Sequence, residues 1–356
     1  MTKIYLVRHA EAEGNIYRRA HGQFNGLITG RGYMQIDLLK KRFEGVHVDA
    51  VYSSDLFRAR TTATAVSDPR GLPVHTTEKL REVGMGRWED TAWGNMEHFD
   101  HEMSKNFSHD PANWNVSGSE PYDNVQKRMY DFITETAKSH DGETISFFSH
   151  GFAIRSLMCL LMDIPSNETV KMPYCDNTAV AYFEYENDEI KIIFHSDNSH
   201  LNTEMSTLAH QTWWRTERRY VSENLRIVPL EDGSESDLLS ICQADIRGRF
   251  AADREYLAYI GDVPAGIVGL DSSADGNGES VGILSYVYVR EDMRKKTYGV
   301  QLLGQAVADF RKLRREKLRV GLPPDNSYMD FFLHNGFTVI SESDGCRVME
   351  KDIRNW

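Results

Sequence analysis

The sequence predicts an α/β protein, a three-layer, mostly parallel sheet, followed by a second, smaller α+β domain. Two short apolar runs, at 3–7 and 145–148, each end in a histidine beside a small residue: Arg8-His9-Ala10 and Ser149-His150-Gly151. Runs of this length before a small-residue turn read as buried parallel strands. Strand and helix signals alternate through the first two hundred residues, as βαβ units require. From Leu225 the pattern restarts with its own strands, loop and helix.

The elements follow in order. Residues 34–43 have helical spacing, and 48–52 and 74–76 are short strand candidates. An amphipathic stretch at 125–138 leads into the strand that ends at His150. Runs at 179–183 and 190–194 flank Asn187-Asp188, which reads as a hairpin and an antiparallel edge. Residues 205–224, with Trp213-Trp214 and Arg218-Arg219, are expected to be a helical connector packed between domains. The expected boundaries are therefore 1–204, 205–224 and 225–356. In the last part, 225–230 and 255–260 are strands, 261–264 a turn and 265–270 its return strand. A Gly/Asp/Ser loop at 272–280, a strand at 282–289, a helix at 299–314 and a short helix at 327–335 complete the reading.

Composition narrows the classes. A chain of 356 residues with 40% hydrophobic and 26% charged residues fits a globular protein of two or three domains. No apolar stretch approaches the roughly 18 residues of a membrane span, and the N-terminus lacks a signal-peptide pattern, so no membrane partner and a cytoplasmic location are expected. Cys159, Cys175, Cys242 and Cys346 are scattered without metal-ligand spacing, which fits a reducing compartment. A net charge of −12 argues against nucleic acid. His98 and His101 stand at helical spacing without a third ligand, so no metal is expected.

In an open α/β sheet the strand C-termini are where ligands bind. Two histidines brought there from distant positions, with Arg8 beside the first, point to a phosphate-handling site. The run Leu6-Val7-Arg8-His9-Ala10-Glu11-Ala12-Glu13-Gly14-Asn15 strongly resembles the signature of the histidine phosphatase (phosphoglycerate mutase-like) superfamily. The resemblance continues in order through the stretch from Gly22 to Gly32, where Gly26-Leu27-Ile28 replaces the more usual Ser-Pro-Leu. It goes on through Ser53 to Thr62, Leu80-Arg81-Glu82 with Gly86-Arg87-Trp88-Glu89, and Ser149-His150-Gly151.

The resemblance implies a phosphoglycerate mutase-like fold and a reaction through phosphohistidine. A neutral His9 would attack phosphorus and hold the phosphoryl group, splitting one hard step into two. Arg8, Arg58 and His150 would surround the developing charge, with Asn15 and Thr29 as further substrate contacts. Glu82 would protonate the leaving oxygen and then activate water. Arg60 competes with Arg58 for its role, and Glu78 and Glu89 with Glu82. No metal or cofactor is needed for this chemistry.

Phosphatase is favoured over phosphomutase by the segment after Glu82. Between Val83 and Val125 only Arg87 and Lys105 are basic, against Glu89, Asp90, Glu97, Asp100, Glu102, Asp110, Glu120 and Asp123. An acidic segment repels a polyanion, so the expected partner is a small phosphate ester with a neutral or cationic leaving group.

In the last part, Val287-Tyr288-Val289-Arg290, then Arg294-Lys295-Lys296-Thr297-Tyr298-Gly299-Val300, resembles the acetyl-CoA motif of GCN5-related N-acetyltransferases (GNAT). Asn326 and the run Phe331 to Phe337 resemble a later motif of that family. The resemblance implies that Val287, Val289, Arg294, Lys295, Thr297, Tyr298, Gly299, Val300 and Asn326 hold acetyl-CoA as co-substrate, the pyrophosphate lying on backbone amides at a helix start. Thr297 stands where the family usually has its first glycine. Phe332 stands where many members carry the tyrosine that protonates the thiolate, with Tyr328 one helical turn away. The stretch between Leu230 and Glu255 is short for the two helices that shape an acceptor site. The basic run from Arg311 to Arg319 reads as an exposed helix face, near the 3′-phosphate of CoA. Two readings stand: an enzyme that N-acetylates a small amine, or an inactive acyl-CoA sensor or scaffold.

Overall fold

The computed structural model describes residues 1–214, 223–242, 251–273, 280–323, 327–343 and 345–354. The chain divides into two compact units. The first holds Met1–Ala12, Ala20–Asp90 and Asp100–Thr216, and the second Glu13–Arg19, Thr91–Phe99 and Glu217–Trp356.

In the first unit, strands β1 (Thr2–Arg8), β2 (Ala50–Ser54), β3 (Val74–Thr77), β4 (Thr144–Ser149), β5 (Val180–Glu186) and β6 (Glu189–Asp197) form one sheet in the order β3-β2-β4-β1-β5-β6. The first four pair in parallel and the hairpin β5–β6 closes an antiparallel edge, as the sequence indicates. Val7, Val51 and Phe148 face helices α2 (Gly30–Arg42) and α3 (Phe57–Ser67) and form one core with Ile36, Leu39, Ala63 and Val66. Helices α6 (Tyr122–Ser139) and α7 (Gly151–Leu161) pack together and against β1, and α5 (His101–His109) completes the helices of this unit. Arg8 on β1 registers with Ser149 on β4. The next residue of each strand is a histidine, so the parallel register itself delivers His9 and His150 to one edge.

The expected helical connector takes another form. Among its described residues, 205–214, only Leu208–His210 makes a turn of 3-10 helix. Side chains hold this segment instead: Gln35 Nε2 donates to the Met205 carbonyl at 2.7 Å and Leu208 N donates to Asp176 at 3.2 Å, while Thr207 Oγ1 donates to Glu11 at 2.9 Å and Ser206 Oγ to Asp176 at 2.5 Å. Side-chain partners of this kind offer the backbone an alternative to helical hydrogen bonds. The remainder of the connector, 215–222, lies outside the described residues.

The second unit contains β7 (Arg226–Pro229), β8 (Arg254–Ile260), β9 (Val263–Asp271), β10 (Val281–Val289), β11 (Lys317–Leu322), β12 (Thr338–Ser343) and β13 (Cys346–Asp352), in the order β12-β13-β11-β10-β9-β8-β7. Its helices are α1 (Glu13–Tyr17), α4 (Trp93–Phe99), α8 (Glu235–Cys242), α9 (Tyr298–Lys312) and α10 (Met329–His334). Leu302, Leu303 and Phe310 of α9 share a buried core with Val268, Leu270, Leu284, Leu318 and Met349. The turn between β8 and β9 is tighter than expected: Gly261 takes a φ of +57°, and Val263 and Pro264 already pair within the hairpin. The basic run is not one helix face either. α9 stops at Lys312, Arg311 is buried, and Lys317 and Arg319 on β11 both pair with Glu350 across the sheet.

Candidate active site at the edge of the first sheet

His9 is 5% exposed and its backbone is pinned on both sides, its N–H donating to the Ser149 carbonyl and its own carbonyl accepting from Thr178 N and Asn177 Nδ2. Its Nδ1 lies 2.7 Å from the Ala10 carbonyl oxygen. A carbonyl only accepts, so Nδ1 carries the proton and Nε2 keeps its lone pair. Burial, then the Arg58 and Arg8 guanidiniums, push this imidazole well below the ordinary histidine range. The ring is therefore neutral at pH 7, the state a nucleophile needs.

His150 is fully buried, its ring centroid 5.1 Å from that of His9. Burial and the nearby Arg58 also hold it well below the ordinary value. Among the described residues, neither of its ring nitrogens has a hydrogen-bond partner, and neither does Nε of Arg8. Buried polar atoms left so are uncommon in native structures. Arg8 donates from Nη1 to the Cys175 carbonyl at 2.6 Å. A Cβ on Gly151 would lie 3.1 Å from Arg8 Nε, which explains the glycine after His150.

Arg58 stands on the first turn of α3, 1% exposed, and Arg60 is exposed. Its Nη1 donates to the Phe24 carbonyl at 2.8 Å and its Nη2 to His21 at 3.1 Å and Gly22 at 2.7 Å. Three of its five donors thus fasten the loop before α2. Burial lowers its pKa to about 10, so it stays a cation at neutral pH.

Glu82 lies at the start of α7. Its Oε1 accepts from Ala153 N at 2.8 Å and Val83 N at 3.0 Å, and its Oε2 from Phe152 N at 3.0 Å. Of the competing carboxylates, Glu78 pairs with Arg81 at the surface, and Glu89 accepts from the amides of Gln23, Phe24 and Met85. Glu82 alone of the three is bonded to α7, whose N-cap is His150.

Two expected substrate contacts have other surroundings. Thr29 caps α2: its Oγ1 accepts from Gly32 N at 3.0 Å and donates its one hydrogen to Glu11 at 2.7 Å. Asn15 lies on α1, which clusters with the second unit.

Sequence reasoning missed the loop from Cys175 to Thr178 and Arg128. The loop precedes β5, and an antiparallel strand starts at the edge where its parallel neighbours end; that topology was the available signal. Arg128 on α6 grips Glu120 at 2.7 Å and donates to the Glu82 carbonyl at 3.1 Å, and its charge contributes to the depressed His150 pKa.

A family model described as the histidine phosphatase superfamily (branch 1) matches residues 4–198, more than half of the chain. The chain belongs to the histidine phosphatase superfamily. A second model, the acetyltransferase (GNAT) family, matches residues 212–337, giving the second unit a GNAT domain. Phosphoserine phosphatase 1 of Hydrogenobacter thermophilus is 27% identical over 186 residues, covering 52% of this chain and 88% of its own. A Yersinia pestis protein named "Probable phosphoglycerate mutase GpmB" is 27% identical over 186 residues, 52% of this chain and 86% of its own. The solved structure of Bacillus stearothermophilus YhfR aligns with a TM-score of 0.55 at 30% identity, covering 56% of this chain and 99% of that one.

In the GNAT domain, β10 pairs with β11 only from Val281 to Ile283, while its pairing with β9 continues to Val289. The two parallel strands therefore part, leaving Val287 and Val289 on a stretch of β10 with one strand neighbour. The turn ahead of α9 takes left-handed backbone at Lys295 (φ +63°) and Thr297 (φ +66°). This is the physical reason a glycine suits position 297. The amides of Tyr298, Gly299 and Val300 open α9, where the first N–H groups have no intrahelical partner. Arg294 is engaged in the turn itself, its Nε on the Val289 carbonyl at 3.1 Å and its guanidinium over the Tyr288 ring. The Tyr298 side chain is 8% exposed and belongs to the core. Phe332 is 2% exposed, wedged between Phe331 and Phe337 at centroid distances of 5.1 and 5.2 Å. A hydroxyl there would enter the core, whereas Tyr328 at the start of α10 is 52% exposed. Asn326 lies outside the described residues.

Proposed function

We propose that the first unit is a metal-independent phosphatase of a small phosphate ester that works through a phosphohistidine. The observation that carries this reading is the Nδ1–H of His9 held on the Ala10 carbonyl, which leaves Nε2 as a neutral nucleophile among buried donors. His9 Nε2 forms a bond to phosphorus while the P–O bond to the leaving group breaks, and the departing oxygen takes a proton from Glu82. His150, Arg8 and Arg58 balance charge on the equatorial oxygens. Water then attacks the phosphoryl group, Glu82 takes its proton, and His9 is regenerated as phosphate leaves. The acidic segment after Glu82 favours a leaving group that is neutral or carries an amine over a polyanion. The relative named as a phosphoserine phosphatase makes phosphoserine the first ester to assay.

The same reading makes the GNAT domain an acetyl-CoA-binding transferase for a small amine. The parting of β10 and β11, and the amides of residues 298–300, fit a pantetheine arm and a pyrophosphate. Acetyl-CoA supplies an activated thioester when bound; Lys295 and Lys296 supply positive charge at its phosphates. With Phe332 in the core, Tyr328 at the start of α10 takes the role of protonating the thiolate.

The test is a panel of phosphate esters that includes phosphoserine and 3-phosphoglycerate, read as phosphate release by wild type and by His9→Ala. Release that His9→Ala abolishes, that survives EDTA and that vanadate inhibits supports the phosphatase. Interconversion of phosphoglycerates without phosphate release would make the chain a mutase. Calorimetry with acetyl-CoA tests the GNAT domain, and no heat at millimolar ligand would reduce it to a scaffold.

A further inference from the structure

The peptide between His9 and Ala10 is clamped at both ends. Its carbonyl accepts from Asn177 Nδ2 at 2.9 Å and from Thr178 N at 3.3 Å, and its N–H donates to Thr62 Oγ1 at 2.8 Å. This peptide carries the His9 ring, and the next carbonyl, that of Ala10, fixes the ring's tautomer. The setting of Asn177 and Thr178 therefore decides where Nε2 of His9 points. Strand pairing brings them there: Val180 registers with Val7 on one side and with Asp197 on the other. The open end of the β5–β6 hairpin thus lies at the His9 edge, with Thr178 before β5 and His200 after β6.

Thr178 is fully buried and takes left-handed backbone, with a φ of +58°. For a β-branched residue this costs about 1–2 kcal/mol and persists only where the surroundings impose it. The Thr178 hydroxyl supplies the constraint. Its one hydrogen goes to the Asn177 carbonyl at 2.7 Å, so from Nε2 of His200, 3.0 Å away, it accepts. Nε2 of His200 therefore carries the proton. The other side of the ring agrees. A guanidinium has only donors, and Arg42 Nη1 lies 3.2 Å from Nδ1 of His200, which keeps its lone pair. Arg42 is the last residue of α2 and is fastened through Nη2 to Asp197 at 2.5 Å. Asp197, Arg42, His200 and Thr178 thus form a chain with a single proton arrangement, which ends on the strained turn beside the nucleophile.

We propose that His200 is a positioning residue for the phosphatase: its Nε2–H on Thr178 holds the turn that clamps the His9–Ala10 peptide, and so aims His9 at phosphorus. This rests on the reading of His9 as nucleophile given above. His200 acts through Thr178, and a loss of its hydrogen bond loosens the aim of the ring while Arg8 and Arg58 still hold phosphate.

The experiment uses the full-length chain, with p-nitrophenyl phosphate as probe and inorganic phosphate as competitive inhibitor. The rate of p-nitrophenol release in the first turnover reports the attack by His9. His200→Ala should lower that rate about tenfold, short of the roughly hundredfold cost of a displacement of about 1 Å. Its inhibition constant for phosphate should match that of wild type, a split that a general loss of structure would not give. His200→Gln keeps an N–H at similar reach and should restore most of the rate. His200→Ala combined with Thr178→Val should be no slower than either alone, because both cut the same link. A wild-type first-turnover rate in His200→Ala, a loss that falls on phosphate binding, a glutamine variant as slow as the alanine one, or additive losses in the double variant would overturn the proposal. If His200→Ala does not fold, Thr178→Val removes the same hydrogen bond at nearly constant shape, and a wild-type rate there overturns the proposal equally. A fully active His200→Ala beside an inactive His9→Ala overturns this proposal and leaves the phosphatase standing. No turnover by wild type would instead overturn the phosphatase reading.

Discussion

Replacing Arg58 should damage the fold and the chemistry together, and the two losses can be separated. Arg58 is 1% exposed and holds the carbonyls of His21, Gly22 and Phe24. Arg58→Ala removes the donor from all three; the Phe24 carbonyl keeps a bond from Gly26 N–H, so two acceptors lose their Arg58 partner at about 1–3 kcal/mol each. The loss is then about 2–6 kcal/mol, a large part of the roughly 5–15 kcal/mol that holds a typical domain folded. With a urea m value of about 3 kcal/mol per M, the midpoint should fall by about 1–2 M. Arg58→Lys keeps a charge and three donors on a shorter reach, so its midpoint should fall by less than half as much. Both variants also lose the planar fork beside His9, and removal of one such group costs about a hundred- to a thousandfold in rate. Urea unfolding by circular dichroism and kcat/KM on the same preparations measure both. An Arg58→Ala protein that unfolds at the wild-type urea concentration refutes the structural half of this reasoning. One that turns over ester at the wild-type rate refutes the catalytic half.

Other outcomes follow from the same structure. His9 and His150 are held well below the ordinary histidine value, and burial with the Arg42 charge lowers His200 to about 4. Below pH 6.5 the unfolded chain binds protons that these folded rings refuse, so stability should fall as pH drops from about 6.5 toward 4; urea midpoints at pH 7.5, 6.0 and 5.0 check the direction. Thr297 is β-branched at a φ of +66°, which costs about 1–2 kcal/mol. Thr297→Gly should therefore recover about 0.5–1 kcal/mol after the extra flexibility of glycine in the unfolded chain, read as a raised thermal midpoint. At Gly299 a Cβ would lie 3.3 Å from the Phe331 ring, so a larger side chain such as that of Gly299→Leu should displace the turn and abolish acetyl-CoA binding by calorimetry.

The parts of the site that lie on strands were legible because apolar runs announce parallel strands and the residue after each run marks the ligand-binding edge. His9 and His150 follow from that logic, and the parallel register Arg8–Ser149 explains why they meet. Arg58 was legible as a motif, but its grip on three carbonyls was not, since no local pattern reveals the partner of a long side chain. Thr29 was read as a substrate contact, and its hydroxyl is spent capping α2. The loop at Cys175 and the brace by Arg128 depend on strand order, which spacing along the chain does not encode. The pairing of Glu13 on α1 with Arg311 on α9 was hidden for a related reason. Glu13 belongs to a phosphatase motif and Arg311 to a basic run that reads as a solvated face, and nothing in either stretch points to the other. The connector at 205–214 was misjudged because polar side chains from elsewhere in the first unit bond its backbone at Met205 and Leu208 and its side chains at Ser206 and Thr207.

The central claim is that His9 Nε2 takes the phosphoryl group. The direct measurement is rapid mixing with a turned-over phosphate ester, alkaline quenching and peptide mass spectrometry. Phosphate should appear on His9 within one turnover, on Nε2 because Nδ1 is committed to the Ala10 carbonyl, and His9→Ala should show none. A phosphorylated peptide elsewhere, or full turnover by His9→Ala, would contradict the account.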